Sequence, residues 1–428
     1  MADATKLMII SSDGHVGALM ADYRPYLEER YHSDFDRFLV DWNDRGSRNF
    51  DRPALMMRLD PESVDEWSEK MVDTHRIDGF TDPRRRLKEL DNEGIAAEVL
   101  FPDFGLPFEL YSMTLASAVG AKQRDEEYKQ AGMRAFNRWV ADFVSVASDR
   151  FTGMAYISWQ QDPEITIAEI RQAHESGLKG IVLPQFDLEK PLYHPDFDRV
   201  WSCIEEIGLI VNSHSAMSST SNRAVYTPGV PHAACTVRLH LPESLFYTHN
   251  ILSHLIWGGV LERHPLLKVV FTEQGSGWIA PTLQSMDYSY EGSYFRTDYR
   301  EVIPNKPSEY FARQCFIGSS IFSRAEIAAR NSIGLDKMML GMDFPHHEGT
   351  LIEGTAAYLQ ATLGAEGVVL EEARQLLGGN AAEVFAVDPE VLLPVVARIG
   401  ISAEDVLIPP SGDLFPRGDV HKPLSMTA

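Results

Sequence analysis

The chain has 428 residues, of which 44% are hydrophobic and 24% are charged, a balance that excludes a disordered chain or a fibrous repeat. Acidic side chains outnumber basic ones and give a formal net charge of -23. Such a surface repels phosphates, which argues against a nucleic-acid-binding protein.

The amino-terminal residues and the cysteines suggest a compartment. Residues 1–12 lack the length and the cleavage pattern of a signal peptide, and no stretch approaches the roughly 18 apolar residues that span a bilayer. The three cysteines are widely spaced, which suggests neither a disulfide framework nor a zinc ribbon. We therefore expect a cytoplasmic protein that does not associate with a membrane.

Short apolar runs alternate with amphipathic segments along the chain, and the runs are predicted to be buried parallel strands. The predicted strands are 7–11, 97–101, 152–157, 180–183, 209–212, 268–272, 313–317 and 337–340. The predicted helices are 83–92, one within 112–147, 163–176, 195–207, 245–262, 277–290, 324–332 and 370–377. Eight strand-then-helix units favour an α/β fold, the closed (β/α)8 TIM barrel, over an open doubly wound sheet, which does not need eight units.

Three segments depart from this alternation. Residues 23–82 are predicted to form a helical insertion after the first strand, and residues 215–242 a long loop after the fifth. Both leave strand ends on the face where such barrels keep their active sites, so we expect lids or pocket walls. The barrel is expected to occupy residues 1–387, and the proline-rich residues 388–428 an extended tail.

Carboxylates and imidazoles follow four of the predicted strands, the first, fifth, sixth and eighth. Because the carboxyl ends of parallel strands meet at one mouth of a barrel, these side chains should converge there, and oxygen and nitrogen donors in such numbers predict a metal site. The alternative is a set of helix caps and packed core histidines, which would have to arise at four strand ends independently. The candidate ligands are Asp13, His15, His214, Glu273, Asp343 and His346.

The strand ends resemble the metal-dependent amidohydrolase superfamily, in the branch that includes aminocarboxymuconate-semialdehyde decarboxylase and related aromatic acid decarboxylases. The resemblance extends from residue 8 to about residue 385 and rests on the stretches Ser12-Asp13-Gly14-His15, His214, 264–273 and 340–346. It implies a metal held by Asp13, His15, His214 and Asp343. Two positions depart from the family pattern: Asp13 replaces the first histidine of the usual His-x-His, and Glu273 stands where the family usually has a histidine that works in proton transfer.

The number of donors bears on the number of ions. With Glu273 included, about seven oxygen and nitrogen donors are too many for one tetrahedral zinc and suit two harder ions. The acidic variant of the barrel also resembles the amidohydrolase-fold non-haem diiron monooxygenases of platensimycin and platencin biosynthesis. That resemblance implies two Fe ions, dioxygen, an external electron donor, and hydroxylation of a bulky apolar, diterpenoid-like acyl-CoA substrate.

The alternative is a mononuclear Zn- or Mn-dependent hydrolase or decarboxylase that acts on a carboxylate or amide substrate. In that case Glu273 would act as general base and His346 or His347 as acid, with the metal lowering the pKa of its bound water. In either case Glu273, Asp343 and His346 are the candidate catalytic residues.

Four further assignments complete the predicted site. His254 is a candidate seventh ligand, and Phe344, Trp278 and His347 are candidate substrate-binding residues. The family resemblance also leads us to expect a homodimer.

Overall fold

The computed structural model describes residues 5–44, 55–56, 60–103, 105–108, 126–159, 162–184, 190–215, 245–246, 248–292, 296–346, 349 and 354–410. In these residues nine strands form one parallel sheet, in the order β1-β3-β4-β5-β6-β7-β8-β9, with β2 also paired to β3. The strands are β1 (Ile10–Ser11), β2 (His15–Val16), β3 (Ala97–Pro102), β4 (Phe151–Tyr156), β5 (Gly180–Val182), β6 (Ile210–His214), β7 (Val269–Thr272), β8 (Cys315–Ser319) and β9 (Met338–Leu340).

The sheet curls so that its first and last strands meet. The backbone N–H of Ser12 donates to the carbonyl of Leu340 at 2.8 Å, and the N–H of His15 donates to the carbonyl of Phe344 at 2.7 Å. Because β1 and β2 both pair with β3, they are two parts of one interrupted strand. The predicted (β/α)8 barrel is therefore confirmed.

All eight predicted strands are present within a few residues of their predicted bounds. The barrel interior covers one face of each strand and helices cover the other. Each strand is therefore a nearly continuous apolar run, which is why it could be predicted from the sequence. Every residue of β3, β4 and β6 is buried.

Helices alternate with the strands around the barrel. The α-helices between and after the strands are Pro83–Glu93, Glu126–Ser145, Pro163–Glu175, Asp198–Ile207, Val260–Arg263, Ile279–Glu291, Pro307–Gln314, Arg324–Ala328, Arg330–Ile333, Thr355–Leu359, Leu370–Arg374 and Asn380–Phe385. Their ends follow the sequence signals: Asp82 accepts a hydrogen bond from the Arg84 N–H, and Gly94 adopts a φ of 74° where the same helix ends. Among the described residues, no helix combines the length and the apolar character that crossing a membrane requires.

The insertion after the first strand is helical in the part that the structure describes. Its helical segments are Met20–Tyr26, Glu29–Tyr31, His32–Asp44, Pro61–Trp67, Ser68–Val72 and Arg76–Phe80. It packs against the chain that follows β9, where the Trp67 indole donates a hydrogen bond to the carbonyl of Pro345 at 2.9 Å. The insertion thus borders the mouth of the barrel.

The prediction of an extended tail from residue 388 is wrong for the residues described. Pro389–Ile399 and Ala403–Val406 are helices, and Asp388 accepts a hydrogen bond from the Glu390 N–H at the start of the first one. The proline at residue 389 occupies the first helical turn, where its missing N–H costs nothing, so it begins a helix here. The predicted loop 215–242, apart from Ser215, and residues 411–428 lie outside the described residues.

Candidate metal centre

Seven buried or nearly buried side chains converge where the strands end. Asp13 lies between β1 and β2, His15 begins β2, and the others follow or end β3, β6, β7 and β9. Because all strands are parallel, their carboxyl ends meet at one mouth of the barrel. The residues are Asp13, His15, Asp103, His214, Glu273, Asp343 and His346.

Four of these residues form one group of donors. Asp13, His15, His214 and Glu273 each offer a ligand atom, and these four atoms lie within 4.8 Å of one another. His214 Nε2 is 3.4 Å from Asp13 Oδ1, and His214 Nδ1 is 3.3 Å from Glu273 Oε2. The group mixes two carboxylates with two imidazoles, a ligand set suited to divalent transition metals.

A second set of donors overlaps the first. Asp343 Oδ1 lies 3.1 Å from His15 Nε2 and 2.9 Å from His346 Nδ1. His346 Nε2 lies 3.3 Å from Asp103 Oδ2, and the rings of His15 and His346 stack with centroids 4.2 Å apart. Both His15–Asp103–His346 and Glu273–Asp343–His346 bring ligand atoms within 4.8 Å of one another.

The backbone holds two of the carboxylates in an unusual conformation. Glu273 has a φ of 56° and Asp343 a φ of 53°, in the left-handed region that side chains other than glycine seldom adopt. Each such residue costs of order 1–3 kcal/mol. Glu273 directly follows β7 and Asp343 lies three residues after the end of β9, so both occur where a strand leads into the mouth of the barrel.

Hydroxyl and carbonyl groups hold the donors in position. Ser320 Oγ donates to Asp13 Oδ2 at 2.6 Å, and Ser215 Oγ donates to Glu273 Oε2 at 2.6 Å. His15 Nδ1 lies 3.4 Å from the carbonyl of Pro102. Such partners leave Nε2 of His15 facing the other donors and fix ring orientation, as they do around bound metals.

The acidic groups raise the pKa of the imidazoles. Burial lowers the pKa of His214, but the hydrogen bond and charge of Asp13 and the charge of Glu273 outweigh burial and raise it to about 9. Burial and the charge of His346 lower the pKa of His15. The hydrogen bond with Asp343 and the charges of Asp13 and Asp103 outweigh them, so that the pKa is raised. The pKa of His346 is raised well above its ordinary value, against burial, chiefly by the charges of Asp343 and Asp103.

The pKa of the Glu273 carboxyl group is raised above its ordinary value. Burial raises its pKa first and the charge of Asp343 adds to this, so that it reaches about 7 even though His214 lowers it. The crowded carboxylates repel one another, and protons on the imidazoles and on Glu273 reduce this repulsion. A divalent cation would do the same, and the oxygen and nitrogen donors fit one.

The remaining predicted residues lie elsewhere. His254 belongs to none of the donor groups in the described residues; its ring meets Tyr193 edge-on at 5.3 Å. Phe344 is 2% exposed and packs with Leu55 and Trp67 of the insertion, and its assignment to the substrate pocket stays a prediction. His347 lies outside the described residues.

Trp278 is half-buried near the mouth of the barrel. Its ring stacks on His249 with centroids 3.9 Å apart, and its indole N–H donates to the carbonyl of Gly275, two residues after Glu273. Trp278 therefore remains a candidate for the pocket wall.

Asp103 is the donor that the sequence analysis missed. It directly follows Pro102, the last residue of β3, and is 3% exposed. The rule applied to the other strands, that a carboxylate directly after a strand faces the mouth, would have found it.

Comparisons with known proteins bear on the fold and on the family of the chain. Residues 87–387 match the family described as Amidohydrolase. The 2-amino-3-carboxymuconate-6-semialdehyde decarboxylase of Dictyostelium discoideum is 25% identical over 320 residues, which cover 73% of this chain and 79% of that protein.

Two solved structures share the fold. An amidohydrolase from Mycobacterium avium subsp. paratuberculosis K-10 superimposes with a TM-score of 0.65 at 19% identity, covering 89% of this chain and 99% of that one. The 5-carboxyvanillate decarboxylase of Novosphingobium aromaticivorans, complexed with manganese and 4-hydroxy-3-methoxy-5-nitrobenzoic acid, gives a TM-score of 0.59 at 17% identity, covering 90% and 97%.

Proposed function

This chain belongs to the amidohydrolase family, and we propose that it is a metal-dependent decarboxylase or hydrolase, with decarboxylation of a small carboxylated substrate as its favoured reaction. The observation that carries the proposal is the buried group Asp13, His15, His214 and Glu273, whose ligand atoms lie within 4.8 Å of one another. The Dictyostelium relative is a decarboxylase, and the Novosphingobium enzyme is a decarboxylase complexed with manganese.

Asp13, His15 and His214 of that group would hold one divalent cation, Mn²⁺ or Zn²⁺. Asp343, whose Oδ1 lies 3.1 Å from His15 Nε2, would complete the ligand set and leave Glu273 beside the cation. Bound there, the cation would supply Lewis-acid stabilisation of negative charge on the substrate. Hydrogen bonds from the neighbouring serines and the contact with the Pro102 carbonyl orient the donors.

Glu273 is the proposed proton donor and acceptor. In a decarboxylation the carbon–carbon bond to the leaving carboxylate breaks, its electron pair stays on the substrate carbon, and that carbon takes up a proton as CO₂ departs. A carboxyl group whose burial raises its pKa to about 7 can carry that proton at neutral pH. In a hydrolysis the same group would take a proton from the attacking water.

The test is CO₂ release from carboxylated aromatic and enoic acids, with amides assayed in parallel, by protein loaded with Mn²⁺ or Zn²⁺. Glu273→Gln should lower kcat by about 10²-fold or more while the metal content stays unchanged. Glu371→Gln, at an exposed carboxylate, is the matched control and should leave kcat unchanged. Full activity in Glu273→Gln would contradict the assigned role.

A second candidate function is a diiron monooxygenase that hydroxylates a bulky apolar acyl-CoA. The observation that favours it is the overlap of the donor groups, since Asp103 and His346 add ligands that one ion does not need. Oxygen and nitrogen ligation with open positions is typical of non-haem iron that activates dioxygen, and an external donor would supply two electrons per hydroxylation. Two irons per chain, with dioxygen uptake that depends on substrate and reductant, would favour this function over the first.

A further inference from the structure

A buried ion pair lies directly behind the donor group. Arg86, in the first turn of the Pro83–Glu93 helix, and Glu98 of β3 are 0% and 1% exposed. Arg86 Nε donates to Glu98 Oε2 at 2.7 Å, and Nη2 donates to Oε1 at 2.9 Å. The two side chains are therefore held in a fixed fork geometry.

Arg86 also contacts both chain segments that carry metal donors. Its Nη1 donates to the carbonyl of His15 at 3.2 Å. Its guanidinium carbon lies 3.7 Å from the ring centroid of Phe344, the residue after Asp343. The His15 N–H in turn donates to the Phe344 carbonyl, so the three residues form one connected unit.

The space that the ion pair occupies explains the glycine between two ligands. A Cβ on Gly14 would overlap Glu98 Oε1 and lie 2.7 Å from Arg86 Nη2, both in fully buried positions. The Asp13-Gly14-His15 segment can therefore rest on the ion pair only because residue 14 has no side chain.

We infer that Arg86 and Glu98 form a positioning pair that sets where His15 and Asp343 present their donor atoms to a cation; the inference rests on the metal-dependent function proposed above. A buried ion pair adds little net stability, because the cost of removing two charges from water offsets their attraction. Its contribution here is geometric, since the planar guanidinium binds the carboxylate, the His15 carbonyl and the Phe344 ring at the same time. Lysine has the charge but not this shape.

The test compares Arg86→Lys and Glu98→Gln with wild type in two measurements on the purified full chain. Mn²⁺ affinity by titration calorimetry should weaken about 10- to 100-fold, as is typical when groups behind metal ligands are changed. The visible absorption spectrum of the Co²⁺-loaded protein should also change, because it reports ligand geometry.

Arg150→Lys is the matched control. Arg150 is 7% exposed, pairs with Asp91 at 2.9 Å and donates to the carbonyls of Ile95 and Ala96. These carbonyls lie just before β3, at the end of that strand opposite to Asp103. Arg150→Lys should lose thermal stability as Arg86→Lys does, yet keep the wild-type Mn²⁺ affinity and Co²⁺ spectrum.

If both Arg86→Lys and Glu98→Gln keep the Mn²⁺ affinity and the Co²⁺ spectrum of the wild type, the inference is overturned. If Arg86→Lys does not fold, Glu98→Gln decides alone, because it keeps the shape of the side chain and one oxygen that can accept from Arg86. Wild-type protein that binds neither Mn²⁺ nor Co²⁺ would overturn the metal-dependent function itself, and the inference with it.

Discussion

Two residues in strained conformations, Glu273 and Asp343, distinguish this site at the smallest scale. Each has a positive φ, and each lies within three residues of the end of a strand that leads into the mouth of the barrel. Folding alone gains nothing from two buried acidic residues in such conformations. Their presence is therefore best explained by the chemistry that we propose for their carboxylates.

The substitution Asp343→Asn separates charge from backbone strain. Asparagine tolerates a positive φ better than most residues, so the melting temperature should change little. Mn²⁺ affinity by titration calorimetry should fall at least about tenfold, because one charged donor is lost. Asp343→Ala serves as the comparison, and unchanged Mn²⁺ affinity in both variants would show that Asp343 is not a ligand.

Most of the candidate ligands could be predicted from the sequence, because a carboxylate or imidazole that closely follows a buried strand faces the mouth of the barrel. Residues away from strand ends were harder to assign. His254 lies on a helix and packs against Tyr193, and the ring of Phe344 packs against the guanidinium of Arg86. Both outcomes depend on contacts between distant segments, which periodicity does not encode.

The interrupted first strand is the element on which the site depends most. β1 and β2 contribute two residues each to the sheet; Asp13 lies between them and His15 begins β2. The segment before β1 is tied to the carboxyl-terminal helices, because the Leu7 N–H donates to the Ile401 carbonyl at 2.8 Å and the Ala403 N–H donates to the Thr5 carbonyl at 2.8 Å. The helices that were predicted to be an extended tail thus support the strand that carries the ligands.

Removing residues 389–428 should therefore destabilise the barrel. Leu392, Val396 and Val406 are buried, and a buried aliphatic side chain of this size contributes about 1.5–3 kcal/mol. A chain that ends at residue 410 keeps all of these contacts and is the control. We expect a markedly lower melting temperature, or insoluble protein, for the shorter chain alone; equal melting temperatures would contradict this role.

At the scale of the whole molecule, the acidic mouth of the barrel should make stability depend on pH and on metal together. The folded pKa of His214, about 9, lies above its ordinary value of 6.5, so its contribution is complete below pH 6.5 and is lost as the pH rises through 9. The pKa of Glu273, raised from 4.5 to about 7, acts in the same direction over a lower range.

We therefore expect the melting temperature of metal-free protein to fall between about pH 5 and pH 9, and Mn²⁺ affinity to rise over the same range because the ligands must lose protons. Thermal melts in EDTA and in Mn²⁺ at five pH values would measure both effects. A metal-free melting temperature that rises with pH across this window would be inconsistent with the protonation states described.

The most direct test of the metal-dependent account is the metal content, by elemental analysis, of protein purified without added metal, with His214→Ala as the control. We predict one manganese or zinc per chain in the wild type and a large loss of it in His214→Ala. Wild-type protein without bound transition metal would contradict the account, and two irons per chain would replace the decarboxylase with the monooxygenase.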